Sequence, residues 1–256
     1  MSNIQRIRLL DYARSFAVIA MIFYHFVYDL GDFGYVEYKT VISGYWKLFA
    51  QCIGSSFLFI SGFSFWIMVR NEIDWIRFSK RLIILLLASI IISIVTFIQF
   101  GSAFIFFGIL HLLAACTIFG LIIYRLPLVI IFGLGLILAF LPEYYFSASY
   151  YDASRFEPKY LAWTGLFNGK TGSVDFYAFM PWSAAYVLGL CCAKLFAKRK
   201  RHTSFAPLLF KEEKTNFPSN ITLWIGRNSL LVYLIHQPIL YCLFFVYGKV
   251  AGLQFF

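Results

Sequence analysis

The amino-acid sequence predicts an all-α membrane protein, a bundle of about seven transmembrane helices with its N-terminus cytoplasmic and its C-terminus outside. Three observations carry that expectation. Of 256 residues, 61% are hydrophobic and only 13% charged, with mean hydropathy +0.76; a soluble domain carries roughly 25% charged residues. The apolar residues gather into runs near the length that a helix needs to cross a bilayer, about 20 residues. The cations that separate those runs alternate between crowded and sparse loops.

In chain order the runs are 9–27, 48–69, 82–100, 104–123, 127–141, 176–196 and 221–247. The first follows a basic start, Arg6 and Arg8, and runs into His25, Tyr28 and Asp29 without a small-residue cleavage site. It is expected to be an uncleaved helix and not a signal peptide. The fifth run is short. The seventh is long enough to tilt, and Pro238 is its expected kink. The whole chain, 1–256, reads as one transmembrane domain. Segment 142–175 is expected to be a long outer loop, a candidate lid, and 197–220 a basic cytoplasmic loop.

The net charge of +10 is mostly an orientation signal. With the N-terminus inside, fifteen Lys and Arg fall on the cytoplasmic side: Arg6, Arg8, Arg14, Arg70, Arg77, Lys80, Arg81, Arg125, Lys194, Lys198, Arg199, Lys200, Arg201, Lys211 and Lys214. Six fall outside: Lys39, Lys47, Arg155, Lys159, Lys170 and Lys249. That is the positive-inside pattern. Membrane lipids are therefore the expected surroundings, and no nucleic-acid partner is expected. Cys52, Cys116, Cys191, Cys192 and Cys242 lie in or at apolar runs without a C-x-x-C pair, which suits buried small hydrophobes. No disulfide or metal site is expected from them.

Ionisable residues inside spans are costly and point to function. His25 and Asp29 are spaced i, i+4 on one helix face, so the carboxylate could orient the imidazole as a general base; an interfacial His beside a loop Asp is the plainer alternative. His111 in the fourth run, and His236 with Gln237 in the seventh, share that outer depth. Each taken alone suits a structural hydrogen bond or a helix kink. Asp175 suits a helix N-cap before the sixth run, and Trp182 suits the aromatic belt. Three His, two Asp and a Gln converging on one layer from several helices favour a site. A second, inner layer holds Asp11, Arg14, Arg227 and Asn228. An ion pair is its structural account; with Arg77, Lys80 and Arg81 it would form a phosphate-binding mouth.

Arg8-Leu-Leu-Asp11-Tyr-Ala-Arg14-Ser-Phe-Ala-Val-Ile-Ala-Met-Ile-Phe-Tyr-His25, continuing to Asp29-Leu30, resembles the opening of the heparan-α-glucosaminide N-acetyltransferase catalytic-domain family. Four later stretches are similar to it in order: Ile53 to Gly62, Phe107-Gly-Ile-Leu-His111, Asp175 through Pro181-Trp182 to Gly189, and Ile225-Gly-Arg227 to His236-Gln-Pro238. The resemblance implies a multi-pass transferase of the bacterial inner membrane. It would move an acyl group, typically acetyl, from cytoplasmic acyl-CoA to a sugar amine or hydroxyl on a glycan or lipid-linked sugar outside. It also implies His25 as catalytic candidate with Asp29, His111, Asp175 and His236 around it, and Arg14 and Arg227 at the donor end. Trp182 and Gln237 are candidates for acceptor binding. Acetyl-CoA is the expected donor, no metal is expected, and a homo-oligomer is compatible with the sequence. Three departures stand out. Ser15 replaces the family's usual Gly, Ala178 replaces a common Pro, and no His occurs between His25 and His111. Two other classes fit the same residues, a transporter or glycan/lipid export component without chemistry and a His-ligated haem or metal protein.

Overall fold

The computed structural model describes residues 7–147, 159–167, 171–199 and 217–250. Its elements in order are α1 (Arg8–Asp32), α2 (Tyr38–Val41), α3 (Gly44–Val69), α4 (Trp75–Phe100), α5 (Ile109–Ile123), α6 (Leu128–Ser147), α7 (Phe179–Arg199), α8 (Phe217–Arg227) and α9 (Ser229–Val250), with 3-10 turns at Gly101–Ala103 and Lys159–Thr164. No strand occurs among the described residues. Five helical stretches are long and apolar enough to cross a membrane: Arg8–Asp32, Gly44–Val69, Trp75–Ala103, Phe179–Lys198 and Ser229–Val250. Ile109–Ile123 and Leu128–Glu143 are apolar but shorter.

Two expected spans change shape. The fourth was expected from 104, but α5 starts at Ile109 because Phe104 to Gly108 runs as extended chain and bends. At 1.5 Å per residue the 15-residue helix spans about 22 Å. The seventh was expected to run unbroken over 221–247 with its kink at Pro238. Instead it breaks at Asn228, and Pro238 sits inside a continuous α9. The Asn228 side-chain amide donates to the Trp224 carbonyl at 2.9 Å, satisfying an acceptor at the end of α8. This is the local competition with the helix that Asn side chains provide. Most of the basic loop (200–216) and much of the expected outer lid (148–158 and 168–170) lie outside the described residues.

The chain forms two compact units, residues 1–57 with 203–256, and residues 58–202. In the first, α1 packs on α8 and α9. Val18, Met21 and Ile53 are buried there, flanked by Phe49, Phe57, Ile225, Val232 and Tyr233. The join of α1 to α8 is close. A Cβ on Gly226 would collide with the Asp11 carbonyl, and the Ser15 hydroxyl reaches both the Asp11 carbonyl and the Thr222 carbonyl. Ser15, a departure from the family pattern, is fully buried in this contact. The end of α1 is a Schellman turn. Gly34 takes the left-handed φ of +78°, Gly34 N–H donates to Gly31, and Tyr35 N–H donates to Leu30.

In the second unit, Leu58, Phe65, Leu112, Cys116, Ile131, Tyr186, Val187 and Leu190 form the core. Gly62 of α3 lies against the Tyr186 carbonyl and Gly189 of α7 against the Phe59 carbonyl, a reciprocal pair of close approaches typical of helices packed in lipid. The α4 start is capped by Asp74, whose side chain accepts from Arg77 N–H at 3.0 Å. Lys194 closes the other end of α5, its ammonium donating to the Tyr124 and Leu126 carbonyls at 3.1 and 2.5 Å. All five cysteines are free; Cys116 and Cys191 are buried, while Cys52 and Cys242 are exposed, against the expectation of burial. In apolar helices whose outer faces meet lipid, exposed Cys is still in an apolar setting.

Candidate active site

The first unit gathers four of the expected site residues. His25 and Asp29 come from α1, His236 and Gln237 from α9. The imidazoles of His25 and His236 lie with ring centroids 4.9 Å apart. Nδ1 of His236 sits 2.6 Å from the Tyr233 carbonyl, which can only accept, so Nδ1 carries the proton and Nε2 keeps its lone pair. Gln237 Nε2 donates to Asp29 Oδ1 at 2.7 Å.

The expected His25–Asp29 pairing is therefore replaced. Asp29 is fully buried and its hydrogen bond goes across to α9, because residues four apart on α1 share a face but the facing helix offers a better-placed donor. Four buried polar atoms of this cluster have no hydrogen-bond partner among the described residues: His25 Nδ1, His236 Nε2, Asp29 Oδ2 and Gln237 Oε1. Leaving such atoms unmet costs about 1–3 kcal/mol each, and native proteins hold few of them. Four in one cluster single it out as the candidate site.

The second unit joins two others. His111 is the third residue of α5 and turns back on the helix start, its Nδ1 accepting from Gly108 N–H at 3.3 Å. Its Nε2 lies 3.2 Å from the Ser93 hydroxyl, which itself donates to the Ile105 carbonyl at 2.6 Å, so Nε2–H is the donor. Both ring nitrogens are thus engaged in fixing the start of α5. Asp175 does the same from a distance in sequence. It does not cap its own helix, α7; its carboxyl lies against Gly108 and accepts from Ile109 N–H. Trp182 packs edge-on against Tyr177 at 4.7 Å.

Burial pushes the Asp175 carboxyl up to about 6 from its ordinary 3.8, although the Ile109 N–H pulls the other way. The fold then holds the Asp175 proton more tightly than the unfolded chain does. Its stabilising contribution is present below about pH 4 and is lost as pH rises through about 6. Thermal unfolding of the detergent-solubilised protein should show that slope, and Asp175→Asn should flatten it.

The residues expected to form an inner layer are an ion-paired cluster of the first unit. Asp11, 1% exposed, receives Arg14 Nη1 on Oδ1 at 2.9 Å and Arg227 Nε near Oδ2 at 3.6 Å. Both partners weighed from the sequence are present. Asn228 serves its own helix end. In the second unit Arg77 pairs with Asp74 at 3.7 Å, and the Arg81 guanidinium donates to Ser61 Oγ at 2.8 Å. Arg14→Leu should leave Asp11 buried beside the looser partner and cost about 3 kcal/mol in unfolding free energy; Asp11→Asn in the same chain should recover much of it.

Among the described residues no three His, Cys, Asp or Glu side chains are placed to hold a metal ion. Tyr233, Asp32 and Tyr241 join the expected residues in the α1–α9 cluster. Tyr241 donates to Asp32 Oδ2 at 2.6 Å, one turn beyond the Asp29–Gln237 pair on both helices. The i, i+3 and i, i+4 spacings of these residues from Asp29 and Gln237 were the available signal.

These features define an integral membrane protein, helical throughout its described regular elements, with two imidazoles in contact between helices. The chain belongs to the heparan-alpha-glucosaminide N-acetyltransferase catalytic family, whose pattern it matches over residues 6–238. That membership gives it a membrane acetyltransferase-like function. No match was found among curated proteins or solved structures.

Proposed function

We propose that this chain is a transmembrane acyltransferase that takes an acetyl group from cytoplasmic acetyl-CoA and delivers it to a sugar amine or hydroxyl outside. The observation that carries this reading is the set of four unmet buried polar atoms around the His25–His236 pair. They offer a proton acceptor with a fixed tautomer and a carboxylate, the groups that acyl transfer to a nucleophile needs. His236 Nε2 takes the acceptor's proton, and the Tyr233 carbonyl holds the imidazolium that forms. His25 and Gln237 orient the acceptor.

The second support is separation along one helix. Asp11 and His25 are 14 residues apart on α1, about 21 Å at 1.5 Å per residue, against a hydrocarbon core of about 30 Å. The Arg14–Asp11–Arg227 cluster then suits the phosphates of the donor at the cytoplasmic end. The acceptor would be a glycan or lipid-linked sugar of the cell envelope. Seven membrane crossings with the N-terminus inside, in a bacterial inner membrane, complete the proposal. His111 and Asp175 serve as positioning residues for α5.

Purified full-length protein in detergent, given acetyl-CoA labelled in the acetyl group and glucosamine as acceptor, should transfer the label. His25→Ala should lose that transfer with the fold intact by thermal unfolding. Equal turnover by both proteins would remove His25 from the mechanism. Ligand binding that leaves acetyl-CoA whole would favour a carrier without chemistry.

A further inference from the structure

Three polar contacts join α1 to α9 in the first unit, each a step further along both helices. The first is the His25–His236 pair at 4.9 Å, the second Asp29–Gln237 at 2.7 Å, and the third Asp32–Tyr241 at 2.6 Å. Positions 25, 29 and 32 share one face of α1. Accessibility changes along the series. Asp29 is fully buried with Oδ2 unmet, whereas Asp32 is exposed. Around Asp29 stand Gln237, Asp32 and Tyr241. Around Asp32 stand Tyr241 and Tyr28, and the Tyr28 hydroxyl is joined to that of Tyr38 of α2 at 2.6 Å.

Proton balance says what such a series could do, on the reading that the site acylates an acceptor. An amine arrives as an ammonium. When its nitrogen bonds to the acetyl carbonyl carbon and the carbon–sulfur bond breaks, the nitrogen gives up two protons. The departing thiolate takes one and becomes the thiol of CoA; the second has no owner among the products. A hydroxyl acceptor has only one proton to lose, and the thiolate takes it. Amine acylation therefore releases one net proton into a buried cluster, and ester formation releases none.

We propose that Asp29 and the Asp32–Tyr241 pair form the exit route for that proton. His236 Nε2 takes it from the nitrogen and passes it to Asp29 Oδ2, and Asp32 carries it to water at the exposed end. Gln237 cannot carry a proton on this path; it holds Asp29 in place through Oδ1. Tyr241 holds Asp32 against the mouth of the series.

The test is acetyl transfer from acetyl-CoA to glucosamine by the purified full chain in detergent, across about pH 6 to 8. Asp32→Asn should lower kcat at least about tenfold with KM for acetyl-CoA unchanged, and rising concentrations of imidazole buffer should restore the rate. Asp32→Glu should keep most of the activity. Tyr241→Phe, a smaller change that serves if Asp32→Asn fails to fold, should show a several-fold loss with the same buffer rescue. Two results would overturn the route. One is Asp32→Asn and Tyr241→Phe both within about twofold of wild type; the other is a loss that imidazole does not restore, which means a structural role. Wild-type protein that transfers nothing would overturn the acyltransferase reading and the route with it. Active wild type with unaffected variants overturns the route alone.

Discussion

His236→Gln should reduce acetyl transfer by about 10²- to 10⁴-fold while leaving the protein folded. The magnitude follows from what the ring does. Its Nδ1–H is committed to the Tyr233 carbonyl at 2.6 Å, which leaves Nε2 as a base with its lone pair free. A glutamine fills a similar volume and can still donate to that carbonyl, but it cannot accept a proton at neutral pH. The variant separates packing from proton transfer. KM for acetyl-CoA should hold, because the donor's phosphates are assigned to the other end of α1. A tenfold rise in KM with kcat unchanged would instead place His236 in ground-state binding. The measurement is steady-state transfer of labelled acetyl, with thermal unfolding as the fold control.

The second large effect is structural. Gly62→Ala or Gly189→Ala should each destabilise the protein by about 3 kcal/mol or more, the upper range for overpacking. At both positions a methyl group would overlap a backbone carbonyl, Tyr186 for one and Phe59 for the other, and a backbone cannot swing aside as a side chain can. The helices must part, and parting them loosens Tyr186, whose hydroxyl lies against Gly120. Because either alanine separates the same two helices, the double variant should cost less than the sum. Gly133→Ala supplies the contrast. Nothing lies within 4 Å of a Cβ there, so the helix-propensity gain of about 0.5–1 kcal/mol should appear as a small rise in the unfolding midpoint.

Much of the fold was legible because lipid constrains composition. A run of about 20 apolar residues has few ways to satisfy its backbone except as a helix. The expected spans 9–27, 48–69 and 82–100 accordingly lie within α1, α3 and α4. The break at Asn228 was less visible, since a polar pair inside an apolar run reads equally as a site or as a helix end. The start of α5 was misplaced because Phe104 to Phe107 are as apolar as a helix interior, yet they pair as chain with 173–177, through Val174 N–H to Ala103 and Tyr177 N–H to Phe107. Hydropathy does not register a partner 70 residues away.

The site divides along the same line. By itself the sequence determined a helical membrane chain, its family, and the identities of His25, Asp29, His236 and Gln237 as costly residues inside spans. It also offered Asp11 with Arg14 and Arg227, and both pairings formed. Only the tertiary structure decided which atom serves which. Asp29 belongs to Gln237 and not to His25; His111 and Asp175 hold the start of α5; the Tyr233 carbonyl selects the tautomer of His236. The physical reason is that spacing along a helix fixes the face a residue shares, while a hydrogen bond depends on the facing helix and on ångström distances. Burial cost is written in residue type, and partnership is written in packing.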